Sequence, residues 1–318
     1  MDMEWYEILI LLIAIALIIG TILFSYLIAR GIFHPTRLSL LETRIKEEER
    51  TPDLLNEYDS WKMSSYWVSS RNGYDLKTYY LPAKSEFGEN NRNFVVIAHG
   101  YTYTHHGSIK YAFMMRNLGF NVVMYDERYH GESGGENCTL GYYEKYDLED
   151  IITDTYHRFG SDLFLGTYGE SMGAATVILE QAFDQRVQFV IADCPFANLP
   201  LLVQFIIKKR FHLPKYPFLP LASLFFYLAT KAKMNQIMPI DAIQKITKPI
   251  LLIHGLDDGF IPYYHSQMLY DQCPSPKRLF LAPNNSRHAE SYRKNRDEYT
   301  KILTNFINDL VLINQKRS

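Results

Sequence analysis

Gly169-Glu170-Ser171-Met172-Gly173 lies between a mostly apolar run at 163 to 168 and the stretch 174 to 182, which is rich in helix formers and free of Pro and Gly. That order predicts a strand, a sharp glycine-flanked turn and a helix, with Ser171 at the apex as a nucleophile elbow. Such a turn lifts a serine Oγ clear of the sheet. It also leaves the backbone N–H of Met172, at the helix N-terminus, pointing into the same space. Candidate nucleophile and first oxyanion donor are therefore adjacent residues.

A serine needs a general base and a group to orient it, supplied on this kind of scaffold in the chain order Ser, Asp or Glu, His. Downstream, 249 to 254 reads as a buried parallel strand that breaks into Gly255-Leu256-Asp257-Asp258-Gly259. Asp258 is the candidate that orients the base, and Asp257 is the alternative, equally suited to bracing a turn. Beyond these acids lie only His265 and His288. His265 falls in a helix opened by Pro262, where a surface or packing role is expected. His288 follows a short strand at 278 to 281, in the polar loop Pro283-Asn284-Asn285-Ser286-Arg287. That placement makes it the candidate base.

A second oxyanion donor is expected after an earlier strand. Residues 94 to 98 form that strand, and His99-Gly100 turns the chain so that the Tyr101 N–H faces Ser171, with Thr102 as its neighbour and alternative. His99 and His254, each in a His-Gly pair, are expected to hydrogen-bond their own turns.

These motifs, together with Asp126-Glu127-Arg128-Tyr129-His130-Gly131-Glu132-Ser133 and Ile261-Pro262, resemble the landmarks of the α/β-hydrolase superfamily. The likeness runs from about 63 to 316 and lies near the serine aminopeptidase-like and monoacylglycerol lipase-like branch with its esterase relatives. It implies an α/β fold: a mostly parallel eight-stranded sheet flanked by helices. It also implies Ser171, Asp258 and His288 as triad, and Tyr101 and Met172 as oxyanion donors. Tyr129 departs from the pattern, since many relatives carry Gly in an Arg-Gly-His-Gly turn.

The chain has 318 residues, 47% of them apolar, enough for one large core. A net charge of −2, with only short basic runs at Lys208-Lys209-Arg210 and Lys316-Arg317, argues against a nucleic-acid partner. No metal or cofactor signature is present: His105-His106 is adjacent rather than spaced for one helix face. Three cysteines, Cys138, Cys194 and Cys273, imply no disulfide framework and favour a reducing compartment.

The N-terminus reads as a separate module. Residues 8 to 28 carry no charge and would span about 31 Å as a helix, against a hydrocarbon core of about 30 Å. Trp5, Tyr6 and Tyr26 suit the two interfaces. A cleaved signal peptide is the rival reading. Against it, the preceding segment carries Asp2, Glu4 and Glu7 without Lys or Arg, and no small-residue cleavage pattern follows. Arg30, Arg37, Arg44 and Lys46 on the carboxyl side predict a single-pass cell-membrane protein whose catalytic domain faces the cytoplasm.

The organisation expected is an anchor at 1 to 30, a charged and partly helical spacer at 31 to 60, and the hydrolase domain at 61 to 318. Arg71-Asn72-Gly73 predicts a hairpin at 68 to 81. Strands near 94–98, 120–125, 162–168, 187–193, 249–254 and 278–282 alternate with helices. The proline-divided insertion at about 198 to 247 reads as a cap whose apolar stretch 219 to 229 either packs internally or lines an acyl pocket. The function expected is a membrane-anchored carboxylesterase or lipase-like acyl hydrolase acting on a small, hydrophobic ester or acyl substrate. A serine aminopeptidase or amidase is the alternative, with Glu170 available for a substrate ammonium; a non-catalytic membrane-tethered binding protein is the third reading.

Overall fold

The computed structural model describes residues 4–88 and 90–315, the last five by backbone alone. Asp2 and Lys316-Arg317, named above, lie outside them. In chain order the elements are α1 (Trp5–Phe33), α2 (Leu40–Arg50), α3 (Pro52–Tyr58), β1 (Ser64–Ser70), β2 (Tyr74–Leu81), β3 (Asn93–Ala98) and α4 (Ile109–Asn117). Next come β4 (Asn121–Tyr125), α5 (Glu144–Phe159), β5 (Phe164–Glu170), α6 (Met172–Gln181) and β6 (Val190–Asp193). After them follow α7 (Leu199–Phe211), α8 (Phe218–Thr230), α9 (Pro239–Ala242), β7 (Ile250–Gly255), α10 (Tyr264–Gln272), β8 (Lys277–Ala282), α11 (Ser291–Lys294) and α12 (Arg296–Gln315).

The strands form one eight-stranded sheet in the order β1-β2-β4-β3-β5-β6-β7-β8. The expected hairpin is present, with Ser70 opposite Tyr74 and Gly73 at φ +85 inside the turn. β2 runs antiparallel to both neighbours, and β3 to β8 pair in parallel. Parallel strands need cover on both faces, and β3 shows how alternation provides it. Phe94, Val96 and Ala98 face a core shared with α5, α6 and the inserted helices. Val95 and Ile97 face a second core with α3, α4 and α12.

Residues 31 to 60 lie against the domain rather than projecting from it. Ser39 caps α2 through a reciprocal box with Glu42. Leu54 and Leu55 of α3 enter the second core, and the Thr43 hydroxyl lies 2.8 Å from Thr104 Oγ1. Glu47, expected on a charged surface, is buried.

Among the described residues, α1 is the helix long and apolar enough to cross a membrane. Its amino-terminal turns are exposed on every side, whereas Ser25, Ala29 and Phe33 are buried along one stripe. Small residues at a spacing of four let helix backbones approach closely. Here α1 packs along α8, where Ala222 and Phe226 are buried. Phe24 sits edge-on to Phe211 and Phe218, at ring distances of 5.0 and 5.7 Å.

The end of α1 is tied to the loops beyond the sheet. The Tyr101 hydroxyl donates to the carbonyls of Gly31 and Ile32, and the Cys138 N–H donates to Phe33 O at 3.0 Å, so carbonyls that the helix leaves unpaired are satisfied. Tyr129 holds the segment that follows. It has φ +64, a conformation that favours glycine and explains the Gly of the resembling pattern. Its hydroxyl lies 2.7 Å from His34 Nδ1, and the Arg37 guanidinium sits 4.3 Å above its ring.

Candidate active site

β5 runs straight into α6, and Ser171 occupies the junction at φ 56, ψ −111. Close approach makes the flanking glycines necessary: a Cβ on Gly169 would strike the Gly173 carbonyl, and one on Gly173 would strike that of Ala98. The Ser171 N–H is fixed by Asp193 O at 2.8 Å. The turn thus holds a strained backbone at one position, as a nucleophile elbow does.

Ser171 Oγ lies 2.8 Å from His288 Nε2, and His288 Nδ1 lies 2.6 Å from Asp258 Oδ2. The three side chains come from the carboxyl ends of β5, β7 and β8, where open α/β sheets place their ligands. Asp258 Oδ1 accepts the N–H groups of Phe260 at 2.8 Å and Ile261 at 2.9 Å, which aims Oδ2 at the imidazole. Burial opposes ionisation of Asp258, but hydrogen bonds from His254 and His288 outweigh it and hold the carboxyl well below the usual carboxylate range. The His288 loop is braced by Asn295, whose Nδ2 donates to Pro283 O at 3.1 Å and Ser286 Oγ at 2.7 Å.

The alternatives named from the sequence separate cleanly. Asp257 is exposed and only its N–H is engaged, to Ser286 O at 3.1 Å. His265 is buried, accepts the Ala197 N–H at 3.1 Å, and is pushed by burial to about 4. His99 braces its turn through Gly100 O at 2.7 Å and the Glu127 N–H at 2.9 Å; burial pushes it to about 3, so it stays neutral. His254 braces its own turn between Ser266 Oγ and Ile261 O, each at 2.7 Å.

The turn after β3 abuts the elbow: a Cβ at Gly100 would sit 3.7 Å from Ser171 Cβ. Thr102, at φ 69, gives its N–H to His130 Nε2 at 3.1 Å. Among the described residues the Tyr101 N–H donates to no protein acceptor, which leaves it available beside that of Met172. Tyr101, Ser171 and Met172 line one cavity of about 460 Å³, within the ~300–1,000 Å³ typical of ligand sites. The rest of its wall is apolar apart from Arg210, with Leu199, Val203 and Ile206 from α7 opposite Phe24, Ile28 and Ile32 from α1.

Glu170 is unsuited to binding a substrate. Its carboxylate is buried beneath the elbow, paired with Lys110 at 2.5 Å and accepting the Tyr111 hydroxyl at 2.5 Å. Cys194, Asp258 and His288 place a sulfur, an oxygen and a nitrogen within 4.8 Å of one another. Burial raises the Cys194 thiol well above its ordinary value, so it is protonated, the wrong form for a metal ligand. The contributions of α1 and Asn295 to this site were missed in the sequence.

A nucleophile elbow, an imidazole and a carboxylate on this sheet define the class, and the comparisons agree. Residues 89–213 match the family model described as serine aminopeptidase, S33. The chain is 33% identical to the uncharacterized protein YqkD of Bacillus subtilis over 267 residues, covering 83% of this chain and 86% of that one. It is 25% identical to the lysophosphatidylserine lipase ABHD12 of Danio rerio over 52% of this chain and 43% of that one. The structure of the Pyrococcus furiosus esterase Pf2001 is similar, with a TM-score of 0.64 at 21% identity over 81% of this chain and 93% of that one. The chain belongs to the α/β-hydrolase superfamily.

Proposed function

We propose that this protein is a membrane-anchored serine hydrolase that cleaves carboxylic esters with hydrophobic acyl groups. The observation that carries the reading is the continuous relay from Ser171 Oγ through His288 to Asp258, opening into an apolar cavity. His288 Nε2 takes the serine proton as Oγ attacks the ester carbonyl. The oxyanion forms against the N–H groups of Tyr101 and Met172. On collapse, His288 returns the proton to the departing alcohol oxygen, leaving an acyl ester on Ser171. Water then attacks that ester, its proton goes to His288, and the carboxylic acid leaves as the serine recovers its proton. Asp258 holds the imidazole tautomer throughout.

The domain is held to the bilayer by α1, with residues 1–30 as anchor, 61–318 as hydrolase domain and about 198–247 as cap. The basic flank Arg30, Arg37, Arg44 and Lys46 sets the catalytic side as cytoplasmic. Ester cleavage is favoured over amine-terminal peptide cleavage because no Asp or Glu is among the described residues lining the cavity, so a substrate ammonium finds no partner there. The test is labelling of the full chain in detergent with a fluorophosphonate. Wild type is expected to label and Ser171→Ala to lose labelling; equal labelling of both removes Ser171 as nucleophile.

A further inference from the structure

The cavity wall and the apolar run of α1 overlap. Phe24, Leu27 and Ile28 belong to the uncharged stretch, and with Gly31 and Ile32 they form one side of the cavity beside Ser171. A helix of 29 residues is about 43 Å long, whereas the hydrocarbon core is about 30 Å thick. If Trp5 and Tyr6 mark one interface, the hydrocarbon ends about twenty residues on, near Tyr26. The Phe24–Ile32 wall therefore straddles the inner boundary of the bilayer.

The surroundings fit that depth. Lining residues that stay exposed mark the mouth: Leu27 at 58%, Phe211 at 38% and Phe260 at 43%, with Arg210 among them. Tyr216, just before α8, and Tyr227 on α8 are further exposed aromatic side chains. Lys209 at the end of α7 bonds Gly259 O at 2.9 Å, tying the mouth to the loop that carries Asp258. Apolar wall below, aromatic and basic rim above, is the profile of a bilayer interface.

We propose that the cavity takes the acyl chain of a bilayer-resident amphiphilic ester, which reaches Ser171 laterally along the carboxyl-terminal turns of α1. The anchor is thus a wall of the substrate site as well as a tether. Hydrocarbon of the leaflet passes to hydrocarbon of the cavity, so the chain need not cross water, and the ester group halts at the depth of the elbow. This inference rests on the serine-hydrolase reading.

The experiment uses the full chain in phospholipid nanodiscs and the ratio of kcat/KM for p-nitrophenyl palmitate to that for the acetate. Ile28→Trp fills the α1 wall. Gly31→Leu is the milder variant, because a Cβ there meets nothing within 4 Å. Both are expected to lower the ratio, by about 10-fold or more for Ile28→Trp. Leu17→Trp, on an exposed turn of α1 outside the cavity, is expected to leave it within about twofold. An unchanged ratio in both wall variants, with fluorophosphonate labelling retained, overturns the inference and leaves the hydrolase reading standing. Wild type that neither labels nor turns over acetate overturns both.

Discussion

The two halves of α1 are alike in composition and different in circumstance. From Trp5 to Gly20 nearly every side chain is exposed, while from Thr21 onward one stripe is buried against α8 and another lines the cavity. Uniform apolarity covers two circumstances, one half without protein contacts and the other packed on the domain. What distinguishes the second half is side-chain size, Thr21, Ser25 and Ala29 recurring every fourth residue, rather than hydrophobicity. A segment that reads in sequence as a tether therefore also forms a wall of the cavity beside Ser171.

The sharpest way to break this comparison is to place a larger side chain in each half. Ala29 has no exposed surface against α8, so Ala29→Trp is expected to cost about 1–3 kcal/mol by overpacking, seen as a lower Tm for the full chain in detergent. A smaller effect is expected from Tyr101→Phe, which keeps the backbone N–H beside Ser171 but removes the hydroxyl that caps Gly31 and Ile32. Its cost is about 1 kcal/mol of stability, with a loss of kcat because the α1 contact that fixes the oxyanion turn is gone. The smallest effect belongs to the free half: Leu12→Trp, at a position 58% exposed, is expected to leave Tm within the equivalent of about 0.5 kcal/mol. Equal responses of Ala29→Trp and Leu12→Trp would mean that the docked half is not docked.

Much of the fold was legible because its signals are local. The Arg71-Asn72-Gly73 hairpin, the alternation of strands and helices, and the strand-to-helix turn at Ser171 each follow from a few adjacent residues. The placing of Asp258 and His288 followed from chain order, and the structure brings both to Ser171 while leaving Asp257 and His265 elsewhere. Strand ends were less legible: β6 starts at Val190 instead of 187, with Val187 and Phe189 buried without being strand residues.

What escaped were contacts between distant partners that no motif or chain order marks. Glu47 and Glu170 carry a surface residue's identity, yet both are buried, Glu170 beside the Lys110 ammonium. Residues 31 to 60 look like a solvated spacer because their buried positions are few: Thr43 meets Thr104, and Leu54 and Leu55 meet a core built far along the chain. Tyr129 stood out only as a departure from glycine. Its purpose, clasping His34 and Arg37 just after α1, depends on two segments about ninety residues apart meeting in space.

The most direct test of the account is to quench the full chain in acid during turnover of p-nitrophenyl palmitate and locate the acyl group by mass spectrometry of its peptides. The account predicts a palmitoyl adduct on the peptide that contains Ser171, absent from Ser171→Ala together with turnover. Palmitate release with Ser171 dispensable, or an adduct on another residue such as Cys194, would contradict it.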